Sequence, residues 1–177
     1  MTTKPKASLR LGKRQGPRRL RGLDAERSRS KRGPALGSDP AGLTRVVALI
    51  KRKDENALIS AVEMGVSVGV AHALPGAFHL AGTEIAGLLG VSSKTAQRWR
   101  LNATQRLTQS VGEKAVRLLQ LRQLAIETFE DEEDAVAWLN EANEAFGGRR
   151  PIDHAHTELG CQQVERLLIR IDEGIFS

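Results

Sequence analysis

From Leu43 onward the apolar residues of this chain recur every three or four positions, the period of a helix buried along one side. Leu43, Val46, Val47 and Ile50 form one stripe; Leu58 and Val62, with Ile59 beside them, form the next. Val66 to Leu74 continues as a short helix that Pro75 and Gly76 are expected to break, because proline brings no N–H to the helix ladder. Two short helical patterns then flank Gly90. Val111 to Phe129 reads as the longest helix, with Ala115, Val116, Leu118 and Leu119 in its stripe. Asp131 to Leu139 predicts a short helix whose acidic start suits the positive end of the macrodipole. Phe146-Gly147-Gly148 predicts a loop, Pro151 the first residue of a short turn, and Thr157 the cap of a last helix carrying Val164, Leu167, Leu168 and Ile171. There is no sustained two-residue alternation and no internal repeat. The expected fold is all-α, with one helical domain over residues 43–106 and a second, smaller one over 107–177.

The first 42 residues break this pattern. They are rich in Arg, Lys, Gly, Ser and Pro, and bury too little apolar surface to offset their ordering entropy, so a disordered arm is expected. Residues 1–38 hold 12 Lys and Arg against Asp24 and Glu26, a balance of +10. The remainder holds 15 basic and 19 acidic residues, a balance of −4, so the net +6 conceals a basic arm on a mildly acidic body. Such arms follow nucleic-acid phosphates or, more blandly, only aid solubility.

The most informative stretch is GTEIAGLLGVSSKTAQRWRL, residues 82–101. Two helices packed at a steep angle need apolar facing sides, a small residue at closest approach and a glycine at the turn. Ile85, Leu89, Val91, Ala96 and Trp99 supply the apolar sides, Ala86 the small residue and Gly90 the turn, each at the offset of a helix-turn-helix; Ser92 can cap the second helix. An ordinary helical hairpin with a solvated polar face would not need all seven in register. The outward face of the second helix then carries Ser93, Lys94, Thr95, Gln97 and Arg98. Gln and Arg pair bidentately with adenine and guanine, and Ser or Thr with a base or a phosphate. From Val91 to Arg122 there are seven basic residues and one acid, Glu113. Ser92, Ser93, Lys94, Thr95, Gln97 and Arg98 are therefore the candidate DNA-binding residues, in a module that reads the major groove.

Other chemistry is poorly represented. No apolar run approaches a membrane span, and the N-terminus has neither the apolar segment of a secretory signal nor the apolar face of a transit peptide. A single cysteine, Cys161, excludes an intrachain disulfide framework and reads as a buried or idle thiol. His154 and His156 in HAHTE do not share a helix face and lack a third ligand, so they read as a surface pair near a helix start. GTEIAGLLG lacks the Gly-Lys-Ser/Thr ending of a phosphate loop. The acidic run Glu130 to Asp134 reads as a solvated helix start. A cytoplasmic protein without metal, cofactor or enzymatic activity is expected.

The C-terminal half, AVAWLNEANEAFGGRRPIDHAHTELGCQQVERLLIRIDEGIFS, resembles the toxin-binding domain shared by the Xre, MbcA and ParS antitoxins. The resemblance rests on a Trp-Leu pair (Trp138, Leu139), then Asn143 before Gly147-Gly148-Arg149, then Pro151 starting a short helix. A Thr-Glu-x-Gly step follows (Thr157, Glu158, Gly160), and a helix carrying Val164, Leu168 and Ile171 runs into a tail with Gly174 and Phe176. The helix-turn-helix fits the Xre-like part of the same proteins, so about residues 57–177 are covered and the arm is not. There are departures: Gly112 and Lys114 where Ser and Arg are usual, Ala142 for Pro, Arg150 for a small or hydroxyl residue, and His154 for Leu. The first two are expected to weaken a charge network at the domain junction.

What the resemblance implies is a type II antitoxin. Its partner would be a RES-type toxin that consumes NAD, or a related ADP-ribosyltransferase. Trp138, Asn143, Arg149, Ile171, Gly174, Ile175, Phe176 and Ser177 would face that toxin, with the C-terminus occluding its active site. The DNA-binding domain would bind the operator of its own operon, as a homodimer or in a higher toxin–antitoxin complex. Ile175 and Phe176 offer compact apolar surface to a partner pocket, or fold back onto this protein's own core. The alternative is a stand-alone regulator whose C-terminal half is a dimerisation module.

Overall fold

A computed structural model describes residues 40–102 and 104–174; the rest of the basic arm, Ala103 and the last three residues lie outside them. The expectations placed on the arm and on Ile175, Phe176 and Ser177 therefore fall outside the described residues. Nine α-helices follow one another among the described residues: α1 Pro40–Lys51, α2 Glu55–Glu63, α3 Val68–Phe78, α4 Gly82–Leu89, α5 Ser93–Leu101, α6 Gln109–Phe129, α7 Glu132–Asn140, α8 Pro151–His154 and α9 Glu158–Asp172, with one 3₁₀ turn at Glu144–Phe146. The all-α expectation holds. The first helix begins at Pro40, inside the stretch assigned to the arm, because a proline at the first helical position gives up only an N–H that would be unpartnered anyway.

Side-chain caps fix most of the starts. Asp54 accepts from the Ala57 amide at 3.0 Å, Ser67 from Gly69 at 3.2 Å, Asp131 from Asp134 at 2.9 Å and Thr157 from Gly160 at 3.1 Å. Pro151 opens α8 as expected. The acidic run is a helix junction: Glu130 ends α6 in the left-handed region (φ 56°) and Asp131 caps α7.

α6 is the axis of the packing. It contacts α1, α2, α3 and α4 on one side and α7 and α9 on the other. One continuous cluster of buried apolar side chains therefore runs from Val46 and Ile50 in α1 to Val164 and Leu168 in α9. Gly112 lies where α6 meets the α2–α3 connection; a Cβ there would stand 3.2 Å from Val66 Cγ2. No helix of the described residues is long and apolar enough to cross a membrane.

Three local expectations are corrected. Pro75 does not break α3, which runs on to Phe78. A proline in a helix interior costs about 3 kcal/mol, but continuing the helix buries Phe78 completely, one turn beyond the equally buried Leu74. Each such side chain contributes about 1.5–3 kcal/mol. The chain then leaves through His79 in the left-handed region, its amide and that of Leu80 donating to the Pro75 carbonyl. Ile59 does not join the buried stripe of Leu58 and Val62; it is 56% exposed. His154 is half-buried rather than fully at the surface. It stacks on Phe146 with ring centroids 4.7 Å apart, and its Nε2 lies 2.5 Å from Gln163 Oε1. His156 is exposed, and its Nδ1 lies 2.8 Å from the Asp153 carbonyl.

The Thr-Glu-x-Gly step has a steric cause. Gly160 is buried at the crossing of α8 and α9, and a Cβ built on it would overlap the His154 carbonyl oxygen. Gly160→Ala should therefore force α8 and α9 apart and destabilise the fold by about 1–3 kcal/mol, the range for overpacking. Thermal unfolding should show a melting temperature lowered by several degrees. Cys161, beside it, is buried, and its thiol is pushed up to about 12 by burial and then by the adjacent Glu165 carboxylate. It should resist alkylation at pH 7–8 in the folded protein and react in denaturant, as mass spectrometry would show.

Candidate nucleic-acid interface and partner surface

α4 and α5 form the expected pair. Ile85, Ala86, Leu88, Leu89 and Trp99 are buried, and Val91 and Ala96 pack partly against the same cluster. Gly90 ends α4 with φ 71°, a conformation that side chains rarely adopt. Its amide and that of Val91 donate to the last-turn carbonyls of α4. Lys114, one of the departures, reaches across from α6 to donate to the Leu89 carbonyl at 3.3 Å, placing a cation at the negative end of α4.

α5 is unusual in how little of it is buried. Trp99 is its one buried side chain, and it carries Lys94, Arg98 and Arg100 with no acid. Ser93, Lys94, Gln97 and Arg98 are exposed together. Ser92 and Thr95 have local partners. Ser92 Oγ accepts from the Thr95 amide at 3.1 Å, and the two hydroxyls are 3.0 Å apart. Ser92 caps the helix and Thr95 bonds its hydroxyl, while Ser93, Lys94, Gln97 and Arg98 stand exposed.

The α5–α6 connection is anchored rather than loose. Leu107 donates to the Val66 carbonyl at 2.7 Å and Val68 to the Gln105 carbonyl at 3.0 Å. Arg106 donates through Nη1 to the Met64 and Gly65 carbonyls at 3.1 and 2.5 Å. The segment that follows the exposed helix is thus tied to the α2–α3 connection.

In the C-terminal half, Trp138 is half-buried against Phe129, ring centroids 5.6 Å apart. Asn143 and Arg149 close one tight loop: the Asn143 amide donates to the Arg149 carbonyl at 3.1 Å, and Asn143 Oδ1 accepts from Ala145 at 3.0 Å. Arg149 is exposed, while Asn143 is largely occupied in shaping the loop. Ile171 is half-buried near the end of α9, and exposed Gly174 (φ 69°) turns the chain out of the helix. Leu159 and Ile169 add exposed apolar surface along α9, at 73% and 47%. Neither belongs to the stripe of Val164, Leu167, Leu168 and Ile171 that the sequence predicts.

Sequence reasoning also missed the polar links between the halves. Arg122 Nε donates to the Ala77 carbonyl at 2.9 Å and pairs with Glu132. Asn140 Nδ2 donates to the Phe78 carbonyl at 2.8 Å. Arg150 bridges Asp153 and Glu84, at 2.6 and 3.0 Å. The guanidinium is held firmly protonated by Asp153 and then Glu84, against burial. The Glu84 carboxyl lies below its ordinary range because the Ala81 amide and Arg150 both donate to it. Among the described residues, no group of three or more His, Cys, Asp or Glu is arranged to hold a metal ion.

Comparison with known proteins follows the same division. Residues 57–120 match the antitoxin Xre-like helix-turn-helix domain, and residues 124–174 match the antitoxin Xre/MbcA/ParS C-terminal toxin-binding domain. The few residues between the two matches lie inside α6. A protein of Yersinia enterocolitica serotype O:8 / biotype 1B named Antitoxin Xre is 27% identical over 121 residues, which is 68% of this chain and 81% of that protein. With both domains matched, in this order and on these helices, the chain belongs to the Xre/MbcA/ParS antitoxin family.

Proposed function

We propose that the chain neutralises an NAD-consuming toxin, of the RES type or a related ADP-ribosyltransferase, by placing its C-terminus at the toxin's active site. We propose also that it represses its own operon through α5, as a homodimer or within the toxin complex. The observation that carries this reading is the pairing of two surfaces on one body. An acid-free helix with one buried side chain presents Ser93, Lys94, Gln97 and Arg98, and a toxin-binding domain ends in a helix that the chain leaves at Gly174. An exposed polar helix that contributes so little to the core is accounted for by docking in a groove lined with phosphates and base edges.

On this reading the domain limits of 43–106 and 107–177 assign α1 to α5 to DNA and α6 to α9 to the toxin. Ile175, Phe176 and Ser177 supply an apolar plug. Trp138, Asn143, Arg149 and Ile171 complete the surface, Asn143 by holding the shape of its loop.

For the DNA, the test is affinity for a duplex taken from immediately upstream of the protein's own reading frame. Gln97→Ala or Arg98→Ala should each cost about 1–3 kcal/mol and relax specificity at one base pair. Lys94→Ala should weaken binding evenly across sequences. Removing residues 1–38 should flatten the dependence of log affinity on log salt. Unchanged affinity in all three single variants would refute the assignment of the reading face.

For the toxin, the chain should copurify with the product of the neighbouring reading frame. A chain ending at Asp172 should melt like the full-length protein and bind the same duplex, yet fail to restore growth during toxin expression. Phe176→Ala should give a partial failure, since one buried aromatic often carries about 2 kcal/mol of such a contact. Full rescue by the shortened chain would rule out the plug. A large fall in its melting temperature would instead place the tail in this protein's own core.

A further inference from the structure

Three of the polar links between the two halves converge on the end of α3 and the start of α4. Arg122 and Asn140 hold the last carbonyls of α3, those of Ala77 and Phe78. Arg150 holds the carboxylate of Glu84, which also accepts from the Ala81 amide at 3.0 Å and so starts α4. One carboxylate therefore both begins the first helix of the reading pair and receives a guanidinium from the other half of the chain. The principal packing partner of α5 is α4. What fixes the attitude of α4 fixes that of α5.

On the other side, Arg150 directly follows Arg149, the residue that closes the Asn143–Arg149 loop. Its fork is oriented by Asp153, through Nε at 2.6 Å and Nη2 at 2.9 Å, so it is not a wandering surface side chain. Nη2 carries the contact to Glu84 as well, at 3.0 Å. The Arg150 and Glu84 side chains are 32% and 40% exposed. An ion pair at that exposure adds little to global stability. Its consequence is positional: it joins a loop on the partner-facing side to the first helix of the DNA-reading side.

We propose that Arg150 is a positioning residue for DNA reading, whose ion pair with Glu84 sets α4 and α5 against the C-terminal half, so that engagement of the 143–149 loop by a protein partner and reading of DNA are energetically linked. The inference rests on the assignment of α5 to DNA and of this loop to the toxin. Linkage of this kind is reciprocal: whatever the partner does to DNA affinity, DNA does to partner affinity.

The test is a double-substitution cycle. Glu84→Gln keeps an acceptor for the Ala81 amide and removes the charge. Arg150→Gln removes the fork. Each variant, and the two together, would be measured for affinity toward the upstream duplex, for melting temperature and for amide exchange in α4 and α5. Each single substitution should lower affinity by up to about five-fold, the limit for a pair this exposed. The double variant should be no worse than the weaker single one, with melting little changed and exchange faster at the start of α4. Arg150→Lys, which keeps the charge but not the fork, should recover part of the affinity. In the wild type, the free chain and the copurified complex should differ in affinity for the duplex, and both Gln substitutions should narrow that difference.

Failure of the wild-type chain to bind the duplex would sink the functional reading, and this inference with it. Wild-type binding with unaffected variants would sink the inference alone. So would effects that simply add in the double variant, or affinity losses that only track loss of folded protein.

Discussion

Everything else in this structure depends on the burial of α6 from both sides. A helix covered on one face can be amphipathic; one flanked by α1 to α4 on one side and by α7 and α9 on the other must be apolar over most of its middle. It must also be thin where neighbours come closest. Gly112, Ala115 and Ala125 are buried on α6 and meet that need, with Val66 against Gly112. Because α6 is shared, the two family domains are not two cores joined by a linker. They are two faces of one cluster, and residues such as Leu118 and Leu121 belong to that whole cluster.

Around that axis the polar bonds have a consistent placement. They gather at helix ends, where carbonyls and amides lack intrahelical partners. Lys114 meets the end of α4, Arg106 the end of α2, and Arg122 and Asn140 the end of α3. Each bond joins distant parts of the chain, and each is directional where apolar packing is not. Hydrophobic burial holds the helices together; these end-on bonds specify how each is turned.

Much of this was legible in the sequence wherever the deciding physics is local. Gly90, Ser92, Asp131, Pro151 and Thr157 each act through neighbours within four residues, and each stands where the pattern put it. Departures from expectation have non-local causes. Pro75 violates a local rule because a distant core accepts Phe78. Ile59 reads as apolar by composition, yet no element among the described residues covers it. His154 is half-buried where the sequence suggests a surface pair, because nothing in HAHTE announces Phe146 as its stacking partner. The Arg150–Glu84 pair spans 66 positions, and only the oddity of an arginine at that place in the family pattern hinted at a role. Of the candidate surfaces, the α5 face was readable because helical spacing alone exposes it. Leu159 and Ile169 lie outside the predicted stripe of α9 and are exposed among the described residues.

The single buried indole of α5 has a consequence for how such a protein changes over generations. Most positions on that helix are exposed among the described residues. Substitutions at 93, 94, 97 or 98 can accumulate without being filtered by folding, since none of these side chains supports the core. If that face meets DNA, its preferred sequence is free to drift with the promoter it serves. The indole at 99 and the glycine at 90 must stay as they are. Novelty in this protein is confined to a surface that the rest of the chain carries but does not constrain.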